Sequence, residues 1–273
     1  MAALAEISPF LLGKTKIALK SITKAYAHRG EQVVALQSID LEVHRGEFLC
    51  IVGPSGCGKS TLLHIIAGLD KPTNGQVLID GRTTKGPGPD RILIFQELGL
   101  FPWLSVRENV EFGLKMQGIP ARERRERARH FIQLVHLSQF ERNYVHQLSG
   151  GMKQRVSLAR ALAVQPAVLL MDEPFTALDA QTRDLLHDEL ERIWDETEQT
   201  IIFVTHNVRE AVRLGDRVIV MSYRPGTITR EVNIDLSRSR SLEDPEVALA
   251  AKDILSDLRS EIDKAVRAEY SHA

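Results

Sequence analysis

The stretch from Phe48 to Gly68 constrains this chain more than any other. Phe48-Leu49-Cys50-Ile51-Val52 is an unbroken apolar run of strand length, the pattern of a strand buried on both faces. Gly53-Pro54-Ser55-Gly56-Cys57-Gly58-Lys59-Ser60 follows at once and satisfies G-x-x-x-x-G-K-[ST]. Leu62-Leu63-His64-Ile65-Ile66-Ala67-Gly68 then reads as a helix stopped by glycine. Strand, glycine-rich loop and helix in that order make a phosphate cradle. The glycines let backbone N–H groups curl around a phosphate without Cβ clashes. The helix N-terminus adds its positive end. Lys59 can reach the β- and γ-phosphates, and the Ser60 hydroxyl is a Mg²⁺ ligand. Gly53, Pro54, Ser55, Gly56, Cys57, Gly58, Lys59, Ser60 and Thr61 are therefore candidate nucleotide-binding residues, with Lys59 also a candidate catalytic group.

A second apolar run, Val168-Leu169-Leu170-Met171, ends in Asp172-Glu173. Carboxylates at the carboxyl end of a buried strand sit where α/β sheets bind ligands. Asp172 is the candidate Mg²⁺ ligand, and Glu173 the candidate general base for an attacking water. A solvated strand terminus is the alternative, and the phosphate loop elsewhere in the chain weighs against it.

The rest of the 273 residues organises around these two runs. Ile17-Ala18-Leu19, Ile39-Asp40-Leu41-Glu42-Val43, Val77-Leu78-Ile79 and Ile92-Leu93-Ile94-Phe95 read as strands. From Gln96 to about residue 165 the composition is helical, with Pro120 opening a helix over 121–136. Strands resume at 168–171, 201–204 and 218–221. The chain up to about Thr15 reads as a loose start.

No apolar run reaches the ~18 residues of a membrane span. The N-terminus lacks the basic region, apolar core and cleavage site of a signal peptide. Lys and Arg (35) nearly balance Asp and Glu (36), so no general affinity for nucleic acid is expected. Two cysteines make no disulfide framework and suit a reduced compartment.

Leu148-Ser149-Gly150-Gly151-Met152-Lys153-Gln154-Arg155 resembles the signature motif of ABC-type ATPases, and it lies between Gln96 and Asp172 as in that family. Tyr26, Gln96, Ala177-Leu178-Asp179 and His206 fall in the family's order, and the resemblance spans about residues 16–235. A phosphate-loop kinase or GTPase would lack the Ser149-Gly150-Gly151 element. Pro87-Gly88-Pro89-Asp90-Arg91, the segment Leu100 to Val106, Glu108-Asn109-Val110 and Arg224-Pro225-Gly226 are similar to the nitrate/sulfonate/taurine importer branch. That branch usually continues Pro-Arg-Pro-Arg, where this chain has Ser237-Arg238-Ser239-Arg240.

The resemblance implies an α/β fold: a P-loop NTPase (RecA-like) core with N-terminal antiparallel strands and a helical insert. Its expected domains are 16–95 with 166–235 as ATP-binding core, 96–165 as helical signature subdomain, and 236–273 as C-terminal tail. It implies ATP and Mg²⁺, with Ser60, Gln96 and Asp172 on the metal. Tyr26 would stack on adenine, an aromatic contact of roughly 1–3 kcal/mol; otherwise it is a strand-edge tyrosine. His206 would contact the γ-phosphate beside Glu173.

Ser149, Gly150 and Gly151 would form a second anion site at a helix N-terminus, used by a second copy in a head-to-tail dimer, with Asp179 bridging the copies. Asp179 also fits a plain helix N-terminal acid. The implied function is the ATPase subunit of an importer for a small solute. It would work on separate transmembrane permease subunits at the cytoplasmic face of the bacterial inner membrane, with an extracytoplasmic substrate-binding protein acting indirectly. An exporter subunit and a soluble non-transport ATPase are the alternatives.

Four further expectations come from the residues themselves. Cys57, beside Lys59 and a helix start, is expected to be a low-pKa, reactive thiol, and Cys50 inert. Val247, Ala251, Ile254, Leu255, Leu258, Ile262 and Val266 form one helical stripe expected to pack on the core or a partner. The run Arg122, Arg124, Arg125, Arg127 and Arg129, with Glu123 and Glu126 interleaved, reads as a solvated helix face. Trp103, in a Pro-containing loop, reads as an anchor for a partner helix or as core.

Overall fold

The computed structural model describes residues 14–28, 31–176 and 178–270. Most of the expected loose start, and Ala177, lie outside them. The chain groups into two compact units: residues 1–87 with 198–273, and residues 88–197. Among the described residues no helix is long and apolar enough to cross a membrane.

The first unit has an antiparallel layer and a mainly parallel one. β1 (Thr15–His28) pairs with β2 (Glu31–His44) and with β4 (Asn74–Ile79), and the two-residue β5 (Arg82–Thr83) closes the edge. Ile17, Leu19, Leu41 and Val43 alternate into the core, so the period of two fixes the register. In the other layer β3 (Phe48–Val52) is central. It lies parallel to β8 (Thr200–Val204) on one side and to β9 (Arg217–Met221) on the other. β10 (Ile228–Asn233) runs antiparallel to β9. All five residues of β3, β8 and β9 are buried, which is why their sequences are continuously apolar.

α1 (Lys59–Ala67) follows β3 and ends at Gly68 in the left-handed region (φ 77°). α6 (Val208–Leu214) follows β8, and α7 (Pro245–Tyr270) packs on α6. Of the tail stripe, expected to pack on the core or a partner, Val247, Ala251, Ile254 and Leu258 are buried in this chain, whereas Ile262 and Val266 are exposed. Ser237 and Ser239 in place of prolines leave the neighbouring arginines in structural use. Arg238 donates to Leu214 O (2.9 Å) and to Asp216 (2.7 Å). The buried Arg240 donates to Val212 O and Gly215 O (both 2.7 Å), satisfying orphan carbonyls at the end of α6.

The second unit pairs β6 (Arg91–Ile94) with β7 (Val168–Asp172) in parallel, from Arg91↔Val168 to Ile94↔Met171. It adds α2 (Val106–Met116), α3 (Ala121–Leu134), α4 (Gly150–Ala163) and α5 (Ala180–Thr197). It is wider than the expected 96–165 segment because β6 and β7 pair with each other and α4 packs on β6. α2 starts at a capping box in which Ser105 and Glu108 satisfy each other's backbone N–H. α3 begins at Ala121 as expected, with Pro120 in the cap position, and ends at Leu134, two residues short of the expected end. The arginine face of α3 is not wholly solvated: Arg124 is largely covered and reaches across to Glu111 of α2 at 3.0 Å.

Candidate active site

The first unit supplies the loop between β3 and α1. Gly58 is the cap of α1 at φ 104°, a conformation that glycine adopts without strain, and it offers no side chain to the first-turn N–H groups. An added Cβ there would also lie 2.7 Å from Leu36. No side chain caps the start of α1, the arrangement that leaves a helix N-terminus suited to an anion. Lys59 is buried, and its Nζ donates to Gly53 O (2.8 Å) and Pro54 O (3.0 Å), folding the ammonium into the loop. Ser60 is exposed at the helix start and Thr61 half-buried.

Cys57 corrects the sequence expectation. Its side chain is fully buried, and its Sγ lies where a Cβ on Gly53 would come within 2.8 Å. Burial pushes the thiol pKa up; the Lys59 charge and the hydrogen bonds to Sγ only partly offset this. The helix-end argument neglected desolvation, which disfavours the thiolate more than one neighbouring ammonium favours it. Cys57 therefore serves the loop through its backbone. Cys50 is fully buried in β3, and burial raises its pKa well above the ordinary thiol value.

Tyr26 stands exposed on β1 with its hydroxyl donating to Asp70 at 2.9 Å. Lys24 Nζ pairs with Asp70 at 2.6 Å and lies 4.7 Å from the Tyr26 ring centroid. Partial burial would raise the Asp70 carboxyl, but the hydrogen bonds from Lys24, Tyr26 and the Lys71 N–H prevail and hold it below the usual range. His206 follows the end of β8, in the exposed turn before α6. The turn is fixed on both sides. Thr205 Oγ1 donates to Glu210, Asn207 N donates to Thr205 Oγ1 (2.9 Å), and Asn207 Oδ1 caps Arg209 N (3.1 Å).

The second unit supplies the remaining candidates. Asp172 is the buried last residue of β7, and Glu173 follows it in the left-handed region at φ 45°. Such a conformation in a non-glycine residue costs about 1–3 kcal/mol and concentrates at functional sites. Thr176 Oγ1 donates to Glu173 Oε2 at 3.2 Å. Ser149 caps α4 by accepting from Met152 N at 3.3 Å, and both Ser149 and Gly150 are exposed. A Cβ at Gly151 would meet Thr182 Cγ2 of α5 at 2.5 Å, so any other residue there would displace the Thr182 side chain. Asp179, immediately before α5, accepts from Thr182 N at 3.0 Å, and that bond holds its carboxyl below the ordinary range. The helix-terminal reading of Asp179 is realised in this geometry.

Gln96 is exposed just beyond β6. The sequence reading missed what holds the segment after it. Arg160 of α4 donates to Leu98 O and Gly99 O, both at 2.7 Å. Asn109, fully buried in α2, bonds Phe101 N (2.9 Å), Phe101 O (3.1 Å) and Ser105 O (3.0 Å). These clasps tighten the loop and leave Trp103 70 % exposed, which excludes the core reading of that residue. The available signals were an arginine within the small apolar run of α4 and an asparagine on the buried face of α2.

An α/β core with a glycine-rich phosphate loop, a strand-end acid pair and a glycine-rich helix start defines a nucleotide-hydrolysing cassette. Residues 36–176 match the family described as ABC transporter. A nitrate import ATP-binding protein of Synechocystis is 50 % identical over 80 % of this chain and 82 % of its own length. A taurine import ATP-binding protein of Roseobacter denitrificans is 44 % identical over 85 % and 91 %. Among solved structures, a dimeric post-hydrolysis state of an ATP-binding cassette bound to ADP and Pi is 37 % identical. It covers 81 % of this chain and all of its own at a TM-score of 0.72. The chain belongs to the ABC transporter family, as an ATP-binding, ATP-hydrolysing subunit.

Proposed function

We propose that this chain energises import of a small solute of the nitrate, sulfonate or taurine kind. It would act through separate permease subunits at the cytoplasmic face of a bacterial inner membrane, fed by an extracytoplasmic binding protein. The observation that carries the ATPase part is the uncapped start of α1 beneath the loop that Lys59 lines. The import part rests on what the relatives of 44–50 % identity are named for.

In this reading the N–H groups of Gly53 to Thr61 wrap the phosphates of ATP, and Lys59 turns from the loop carbonyls to the β- and γ-phosphates. Tyr26 offers its ring to adenine. Glu173 takes the proton of the attacking water, and His206 holds that water against the γ-phosphate. Ser149, Gly150 and Gly151 of a second copy cover the same γ-phosphate, with Asp179 at the junction of the copies.

Ser60, Gln96 and Asp172 fit Mg²⁺: a hydroxyl, an amide oxygen and one carboxylate are hard donors. No cluster of three or more His, Cys, Asp or Glu able to hold a metal occurs among the described residues. When bound, Mg²⁺ neutralises phosphate charge.

The test is reconstitution with a permease and a binding protein of the nitrate or sulfonate importer kind. ATP hydrolysis should rise when the binding protein carries nitrate or a sulfonate. Stimulation by neither, with stimulation by a chemically different solute, would remove the solute class and leave the ATPase reading.

A further inference from the structure

The Arg224-Pro225-Gly226 segment has no part in the function described above, yet it lies against the back of the phosphate loop. Arg224 Nε donates to Gly56 O at 2.9 Å. Two residues on, a Cβ at Gly226 would come within 2.1 Å of Cys57 O, so only glycine allows this approach. The loop over 222–227 thus touches two successive peptides of the phosphate loop. We propose that it is a brace for that loop, with Arg224 as a positioning residue. The proposal rests on the reading that residues 53–61 take the phosphates of a nucleotide.

The physical reason is the planarity of the peptide. In a trans peptide the C=O and the next N–H point in opposite directions. Fixing Gly56 O toward Arg224 therefore fixes the Cys57 N–H toward the other side. That N–H donates to Pro54 O at 3.3 Å, the same carbonyl that accepts from Lys59 Nζ at 3.0 Å, so the peptide that Arg224 holds closes the turn of the loop. An acceptor held by a guanidinium makes a charge-assisted hydrogen bond, stronger than a neutral one. The brace holds the turn over residues 54–57 in one shape, which a phosphate would otherwise have to order on binding.

The brace is itself anchored. Gly226 N donates to Ala35 O (2.9 Å) and Gln37 N to Gly226 O (3.0 Å), stitching it to β2. Ser222 Oγ lies 2.8 Å from Thr227 Oγ1 and accepts from Thr227 N at 2.9 Å, closing the loop on itself. Tyr223 N donates to Glu261 Oε2 at 2.8 Å. Glu261 is a buried carboxylate of α7, also paired with Lys264 at 2.5 Å. The C-terminal helix is thereby connected to the phosphate loop through Glu261, Tyr223 and Arg224, and Glu261 is a second, more distant positioning residue.

The test is the affinity of the full chain for fluorescent ADP without Mg²⁺, together with KM, kcat and melting temperature. Arg224→Ala should weaken ADP binding about tenfold, the loss expected of one charged hydrogen bond. The rise in KM should exceed the fall in kcat. Arg224→Lys, which keeps one donor, should recover part of the affinity. Glu261→Ala should weaken binding by about threefold, acting through one neutral donor, while Glu261→Gln keeps the acceptor and stays near wild type. If Lys59→Ala loses binding and Arg224→Ala binds as wild type does, the brace is refuted and the phosphate-loop reading stands. Lowered melting temperatures with unchanged ADP affinity in both Ala variants would also refute it. A wild-type chain that binds no ADP would overturn both readings.

Discussion

Helices α1 and α4 both begin in glycine-rich turns, yet their first turns are finished differently. α1 follows a fully buried strand, has Gly58 at its cap position and no side-chain cap. α4 follows a short 3-10 turn over Val145–Gln147, and its exposed Ser149 caps Met152 N with its own hydroxyl. An end that no side chain caps, held by a buried strand, suits an anion as its cap. An end already capped by a serine is stable as a surface feature and has fewer donors to give. It suits a complementary contact on a phosphate that another chain holds. In the proposed function the two termini would divide into a primary cradle and a closing surface.

That division is most exposed to challenge through Glu173, which neither helix end supplies. Glu173→Gln should retain ATP binding and cut turnover by about 10²–10⁴. A near wild-type rate would remove the base and leave both helix ends without a reaction to serve. Next in size, Lys59→Ala should weaken nucleotide binding by about 10–100-fold, since it removes charged hydrogen bonds to phosphate. Ser149→Arg should instead lower turnover far more than single-chain ADP affinity. Equal losses of ADP affinity in the two variants would erase the distinction between cradle and closing surface.

Smaller effects sharpen the picture of the cradle. Tyr26→Ala should cost about 1–3 kcal/mol of ATP affinity, and Tyr26→Phe should recover most of it because the ring carries the contact. The smallest expected signal is chemical. Burial raises the Cys57 pKa, so at pH 7–8 the side chain stays a thiol, and iodoacetamide should label the folded chain slowly. Labelling should accelerate only above the ordinary thiol range or on unfolding. Mass mapping that finds rapid labelling of Cys57 at pH 7 would contradict the inward orientation of Sγ.

The cradle was legible in sequence because each part has a local cause: a continuous apolar run for β3, glycines for the turn, and a glycine stop at Gly68. The strand-end acids at 172 and 173 and the capping serine at 149 were legible for the same reason. What failed depended on the surroundings of a side chain. The fate of Cys57 was decided by burial in the folded loop, which a local helix-end argument does not see. The contacts of Arg160, Asn109 and Arg224 were not legible, although Asn109 and Arg224 lie in segments that resemble the importer branch, because each donates to backbone carbonyls, which no residue pattern records.

The most direct test of the division is a crosslink. Ser55→Cys and Gly150→Cys, combined with Glu173→Gln and Cys57→Ser, place one thiol at each helix end in a chain that retains ATP. The account predicts a disulfide between two copies that forms with ATP and not without it. A crosslink of equal yield without nucleotide, or one formed within a single chain, would contradict a closing surface supplied by a second copy.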